Sequence, residues 1–361
     1  MVYALYFTLL IVGSLVTRGR TGSRQYLILI MLFLLAIIGL RDTSVGTDTL
    51  GYTEDFAYFS QLSFSEMWTY AFSAKEPLYV MISWLPSILT TSYKLFLLVW
   101  ALFPVISLYK VFKVELNDSE DYLIAMMVFF LLGLFAFYVA GIRQTAVLSL
   151  VFVGSNSLRQ LNLSSLRSLL HDKNLFIFFL FIALGYLIHN SATLFILALP
   201  CLFIKVRWWY LFLVFGLFFL GEYVQIDQIV LLSKFFFEDR FATYGTVYES
   251  SQNISALIMQ GILFLICFSV KDKLIERNQQ NNFFFNMMFL GLVFQSLSGM
   301  MAEMARISFY FSMFAMVLVP QAFKTYTGSI KIFAYTGFTL VCLYYLFVLT
   351  GSNLPEYKSV L

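Results

Sequence analysis

Four arginines, Arg41, Arg143, Arg240 and Arg306, stand just beyond or just inside the end of an apolar run. Each carries a planar, permanently charged fork that meets two oxygens of a phosphate or carboxylate at once. Desolvating such a group at membrane depth is costly unless a partner or a cavity receives it, so each is a candidate for a site. Around them the sequence places Asp42, Asp48, Glu54, Asp55, Glu303 and the His189-Asn190 pair, with Gln144 beside Arg143 and Tyr244 close to Arg240. Local pairing is the plainer alternative: Arg41 with Asp42, Asp239 with Arg240, and Glu303 with Arg306 one helical turn on. Four guanidinium groups on one face argue instead for an anionic ligand, and one met in the plane of a membrane suggests a lipid-linked pyrophosphate.

The elements that must position these groups are apolar. Of 361 residues, 60% are hydrophobic and 12% charged, against roughly a quarter charged in soluble chains, so lipid is the solvent for most of the surface. The expected fold is all-α, a polytopic transmembrane helical bundle of one integral domain over residues 1–361. Its apolar segments fall near 2–16, 25–40, 77–90, 95–112, 122–140, 145–158, 174–188, 190–204, 208–224, 254–270, 283–301, 304–323 and 331–350. The first of these reads as a retained helix, since it lacks the basic start and cleavage site of a secretory signal. Cys201, Cys267 and Cys342 lie inside apolar runs without metal-ligand spacing and read as small buried hydrophobes.

Charge decides the orientation. Short basic loops at Arg18/Arg20/Arg24, Lys110/Lys113, Arg159/Arg167/Lys173, Lys205/Arg207, Lys271/Lys273/Arg277 and Lys324/Lys331 belong on the cytoplasmic side, and this basic excess requires no nucleic-acid partner. The remaining loops, 41–76 and 225–253 above all, then face outward, and the four arginines with them. Alternation fails at one place, which predicts that Pro77–Leu89, short and holding Pro86, is a re-entrant or interfacial helix. About twelve spans remain.

Three short stretches are informative beyond composition. Arg41 to Tyr52 is a hydroxyl-rich loop with Gly46 for a sharp turn; Asp48 in it is either a site carboxylate or the cap of a helix starting at Thr49. Gly141-Ile142-Arg143-Gln144-Thr145-Ala146 sets an arginine where one helix ends and the next begins, and His189-Asn190-Ser191-Ala192 does the same at the tip of a helical hairpin. With Glu76-Pro77-Leu78-Tyr79 and Arg306-Ile307-Ser308-Phe309-Tyr310-Phe311, these stretches follow the order found in O-antigen polymerases of the Wzy type and EpsG-like polysaccharide polymerases, which the chain resembles from about residue 41 to residue 320.

The resemblance implies a GT-C-like glycosyltransferase of the bacterial inner membrane that uses no nucleotide sugar or other cofactor. Such proteins move a growing glycan from undecaprenyl pyrophosphate onto the terminal sugar of an incoming lipid-linked O-antigen repeat unit on the periplasmic side. The expected partners are those lipid-linked repeat units, membrane lipid, and a regulator of chain length. On this reading Arg41, Arg143, Arg240 and Arg306 hold the pyrophosphate, because stabilising the leaving group's charge contributes most to the rate in a water-poor cleft. Asp48 or Glu303 is the general base, with His189 as the alternative base or a phosphate donor. Gln144 and Tyr244 contact substrate, and no metal site is expected. A ligase acting on the same carrier shares this clamp, and a flippase of lipid-linked glycan is the rival from another class, although mid-helix charge and repeat symmetry, which suit transporters, are absent from the sequence.

Overall fold

The computed structural model describes residues 2–74, 76–162, 164–223, 254–300, 302–347 and 356–359. The chain divides into two compact units, Met1–Leu199 with Tyr326–Leu361, and Pro200–Thr325. Among the described residues every regular element is helical.

The first unit opens with α1 (Val2–Val16), α2 (Gly19–Gly39), α3 (Thr49–Phe59), α4 (Phe64–Ser73) and α5 (Pro77–Trp84). It continues through α6 (Tyr93–Glu115), α7 (Ser119–Leu131), α8 (Leu134–Ala140), α9 (Ile142–Arg159), α10 (Leu166–Leu170) and α11 (Lys173–Tyr186). At about 1.5 Å per residue, the 21 residues of α2 and 23 of α6 are long enough to cross a hydrocarbon layer of about 30 Å, and both are sufficiently apolar. Their backbones approach closely, since a Cβ on Gly39 would lie 2.6 Å from Leu98 Cδ2; Gly154 of α9 meets Phe181 of α11 in the same way, at 2.8 Å. Small residues are what permit such contacts between membrane helices.

The loop expected over 41–76 is largely helical. Thr49 starts α3, and a capping box between Ser63 and Glu66 starts α4, the Glu66 carboxylate accepting the Ser63 N–H at 2.8 Å. Residues Pro77–Ile88 form α5 and one 3₁₀ turn. These twelve residues reach roughly 18 Å, too short to cross a bilayer. The apolar run over 122–140, expected as one span, bends by 65° between α7 and α8, where Gly133 takes φ +74°. The run from Asn190 to Ala198 is likewise a succession of 3₁₀ turns lying back along α11, where a regular helix was expected.

In the second unit α12 (Tyr210–Tyr223), α13 (Ile254–Phe268), α14 (Lys271–Arg277), α15 (Asn281–Ser296), α16 (Ala302–Ser312) and α17 (Ala315–Phe323) pack around α15. Several of its buried polar groups are paired with one another or with backbone carbonyls. Asn286 donates to the carbonyls of Cys201 and Ile204 at 2.8 and 2.5 Å, while Gln260, Ser308 and the Gly291 carbonyl form a connected set. The three cysteines are buried and none is in a disulfide. Gly328–Phe347 (α18) belongs again to the first unit, where Tyr335 donates to Glu120 of α7. Beyond it, Ser359 forms an antiparallel bridge with Arg41, and the Asp42 N–H donates to the Lys358 carbonyl at 2.9 Å.

Candidate functional site

Pro77 at the first position of α5 makes Glu76 the residue before the helix, with φ −130° and ψ 69°. Its carboxylate makes no capping bond to its own helix. Instead the Leu78 N–H, one of the donors a helix start leaves unpaired, donates to the Leu187 carbonyl at 2.9 Å. That bond pins the start of α5 to the end of α11, two residues before His189. The Glu76 carboxylate thereby comes between two groups distant in sequence: Oε2 accepts from Arg143 Nη1 at 2.7 Å, and Oε1 lies 3.3 Å from His189 Nδ1.

Arg143 lies in the first turn of α9, the positive end of the helix, where a cation is disfavoured by the backbone dipoles. Glu76 and two aromatic faces offset this. The guanidinium carbon is 5.6 Å from the centre of the Tyr52 ring of α3 and 5.1 Å from that of Tyr79 of α5. The Tyr79 hydroxyl in turn donates to Asp55 at 2.7 Å, and Tyr79 packs against Trp100 and Phe59. Side-chain exposure of 36% for Arg143, 21% for His189 and 16% for Glu76 leaves the arginine the most open of the three. The result is a corner in which the Arg143 guanidinium is paired with one carboxylate and an imidazole stands beside it, an arrangement with the groups for meeting an anion and for proton transfer.

Arg41 does not join this corner as a ligand-facing group, contrary to the expectation that it grips pyrophosphate. It is fully buried, and its fork is spent on the protein: Nη1 on the Ile38 carbonyl at 2.5 Å, Nη2 on the Val139 carbonyl at 2.9 Å, and Nε on the Val45 carbonyl at 3.3 Å. Burial pulls its pKa down to about 10, which leaves it cationic at neutral pH. The rest of the loop serves the same contact. Thr49, also buried, donates to Val45 at 2.7 Å, and Gly46, at φ +94°, passes so close to Val139 that a Cβ would sit 2.5 Å from its carbonyl oxygen. Val139 is the penultimate residue of α8, directly before Gly141-Ile142-Arg143. Arg41 thus anchors the turn from which α9 sets out. Its pairing with Asp42 does not occur either, since Asp42 accepts from the Ser44 N–H and hydroxyl at 3.0 and 2.8 Å, bonds that hold its carboxyl below the usual range.

Of the other sequence-derived candidates, Asp48 is exposed and precedes α3 without a side-chain capping bond. Gln144 is half-buried next to Arg143. Glu303 and the exposed Arg306 lie on α16 of the second unit. Arg240 and Tyr244, with the 225–253 loop, fall outside the described residues. Glu76, Tyr52, Tyr79 and Asp55 are the site residues that sequence reasoning gave no role. The Glu76-Pro77-Leu78-Tyr79 stretch and Tyr52 were visible as points of resemblance, but the carboxylate's partners lie far along the chain.

Helices long and apolar enough to cross a membrane mark a membrane protein, and this one carries an arginine–carboxylate pair faced with tyrosines. The model of the EpsG family matches residues 24–359, and the chain belongs to that family. Membership points to a polysaccharide-polymerase type of glycosyltransferase. No curated protein and no solved structure matches the chain.

Proposed function

We propose that this protein elongates a polysaccharide on the outer face of the bacterial inner membrane, within a bundle of about twelve spans. It transfers a growing glycan from undecaprenyl pyrophosphate to the terminal sugar of an incoming lipid-linked repeat unit. The observation that supports this best is Glu76 joining Arg143 and His189 in a chain of the EpsG family. In the reaction the acceptor oxygen forms a bond to the donor's anomeric carbon while that carbon's bond to phosphate breaks. The departing diphosphate takes the electron pair, and its charge falls to Arg143, whose fork matches phosphate oxygens. The acceptor hydroxyl gives its proton to His189 Nε2, which later releases it to water. Arg41 is a positioning residue in this scheme. Gln144 contacts the sugar beside Arg143, and Asp48 is the alternative base. The released carrier and the lipid-linked unit are the partners, with a chain-length regulator beside them.

The test is glycan length in a strain whose own copy is replaced. Arg143→Ala should abolish polymer while single-repeat glycolipid and protein level stay normal, and long chains from that variant would remove Arg143 from the site. No metal step is needed here, so EDTA should leave elongation by the purified protein unchanged; a block reversed by magnesium would refute that part.

A further inference from the structure

We propose that Glu76 is a positioning residue that fixes the base and the leaving-group cation together, orienting the His189 imidazole through one carboxylate oxygen and the Arg143 fork through the other. The inference rests on the transfer reaction above and adds to it a group with no assigned role. Glu76 is mostly buried and its carboxylate makes no capping bond to α5, so both carboxylate oxygens turn to the two partners. His189 Nδ1 lies 3.3 Å from Glu76 Oε1 and 3.0 Å from Asn190 Oδ1, with the Ser191 N–H at 3.4 Å. In the structure that Ser191 N–H donates to Nδ1 as a long cap; the working tautomer in this proposal turns an Nδ1 proton toward the two nearer oxygens and keeps the Nε2 lone pair for the acceptor hydroxyl. A carboxylate on the far nitrogen of a working imidazole sets both its tautomer and its direction.

Among the described residues, Glu76 at the start of α5 lies against His189, and Arg143 of α9 stands on the other side of the same carboxylate. Acid should stop elongation by protonating Nε2, and the neighbouring carboxylate favours that protonation. Removing its charge therefore moves the acid limb of the rate profile to lower pH, by about one unit or more, while turnover falls by about tenfold or more.

The experiment uses the full-length protein in membranes of the source cell, supplied with that cell's own lipid-linked repeat units and read as a glycan ladder across pH. Glu76→Gln should be slow with its limb displaced downward, whereas Glu76→Asp, which keeps the charge, should be slow with the limb near its original place. A slow Glu76→Gln with an unmoved limb, or equal displacement in both variants, overturns the role of Glu76. His189→Gln separates the two levels: it should abolish elongation, and normal ladders from it would sink the assignment of the base itself.

Discussion

In an Arg41→Met chain the Ile38 carbonyl loses its guanidinium donor, and the carbonyls of Val45 and Val139 are left with the Thr49 hydroxyl alone inside a packed interior. The expected loss of stability is on the order of 3 kcal/mol, read as a lowered melting temperature of the detergent-solubilised protein, with polymer reduced in proportion to folded protein. A stable Arg41→Met that has lost all activity would instead make Arg41 a ligand contact. Arg143 is the reverse case, a third exposed and set against a carboxylate and two rings, so its loss should fall on activity before stability. The sequence separates these two residues poorly. Both are arginines at the edge of an apolar run, and what distinguishes them is the carbonyl of Val139, far along the chain from Arg41. Glu76 illustrates the same limit, because a lone glutamate before a proline reads as a helix start until Arg143 and His189 are folded against it.

At the scale of elements, the sequence marks most helices well, since apolar length and charged loops decide them. It misses where helices break. The bend at Gly133 and the 3₁₀ run over Asn190–Ala198 depend on packing between segments, and composition does not register them. The short α5 is legible because Pro77 and Pro86 bracket it. The turn of 41–48 makes a specific prediction. Gly46→Ala forces a side chain into a left-handed backbone and against the Val139 carbonyl. It should destabilise by on the order of 2 kcal/mol and depress elongation through the start of α9, measured as thermal stability and glycan yield together. A Gly46→Ala protein of normal stability and yield would show that the turn does not set Arg143.

For the whole molecule, the orientation of the basic loops is the feature read most directly from sequence, and it can be checked without reference to activity. The natural cysteines are buried, so an introduced thiol reports alone. Thr47→Cys, in an exposed turn beside α3, should react with a membrane-impermeant maleimide in intact spheroplasts; Ser164→Cys, also exposed, should react only after permeabilisation. Labelling of both from one side would reverse the proposed topology.

The extended pairing of Ser359 with Arg41, and of Lys358 with Asp42, has a consequence for biosynthesis. Residues 40–42 leave the ribosome long before the stretch that completes their hydrogen bonding. A nascent chain therefore carries an unfinished seam beside the buried Arg41 until residues 358 and 359 have been made, and a chain truncated before Glu356 never closes it.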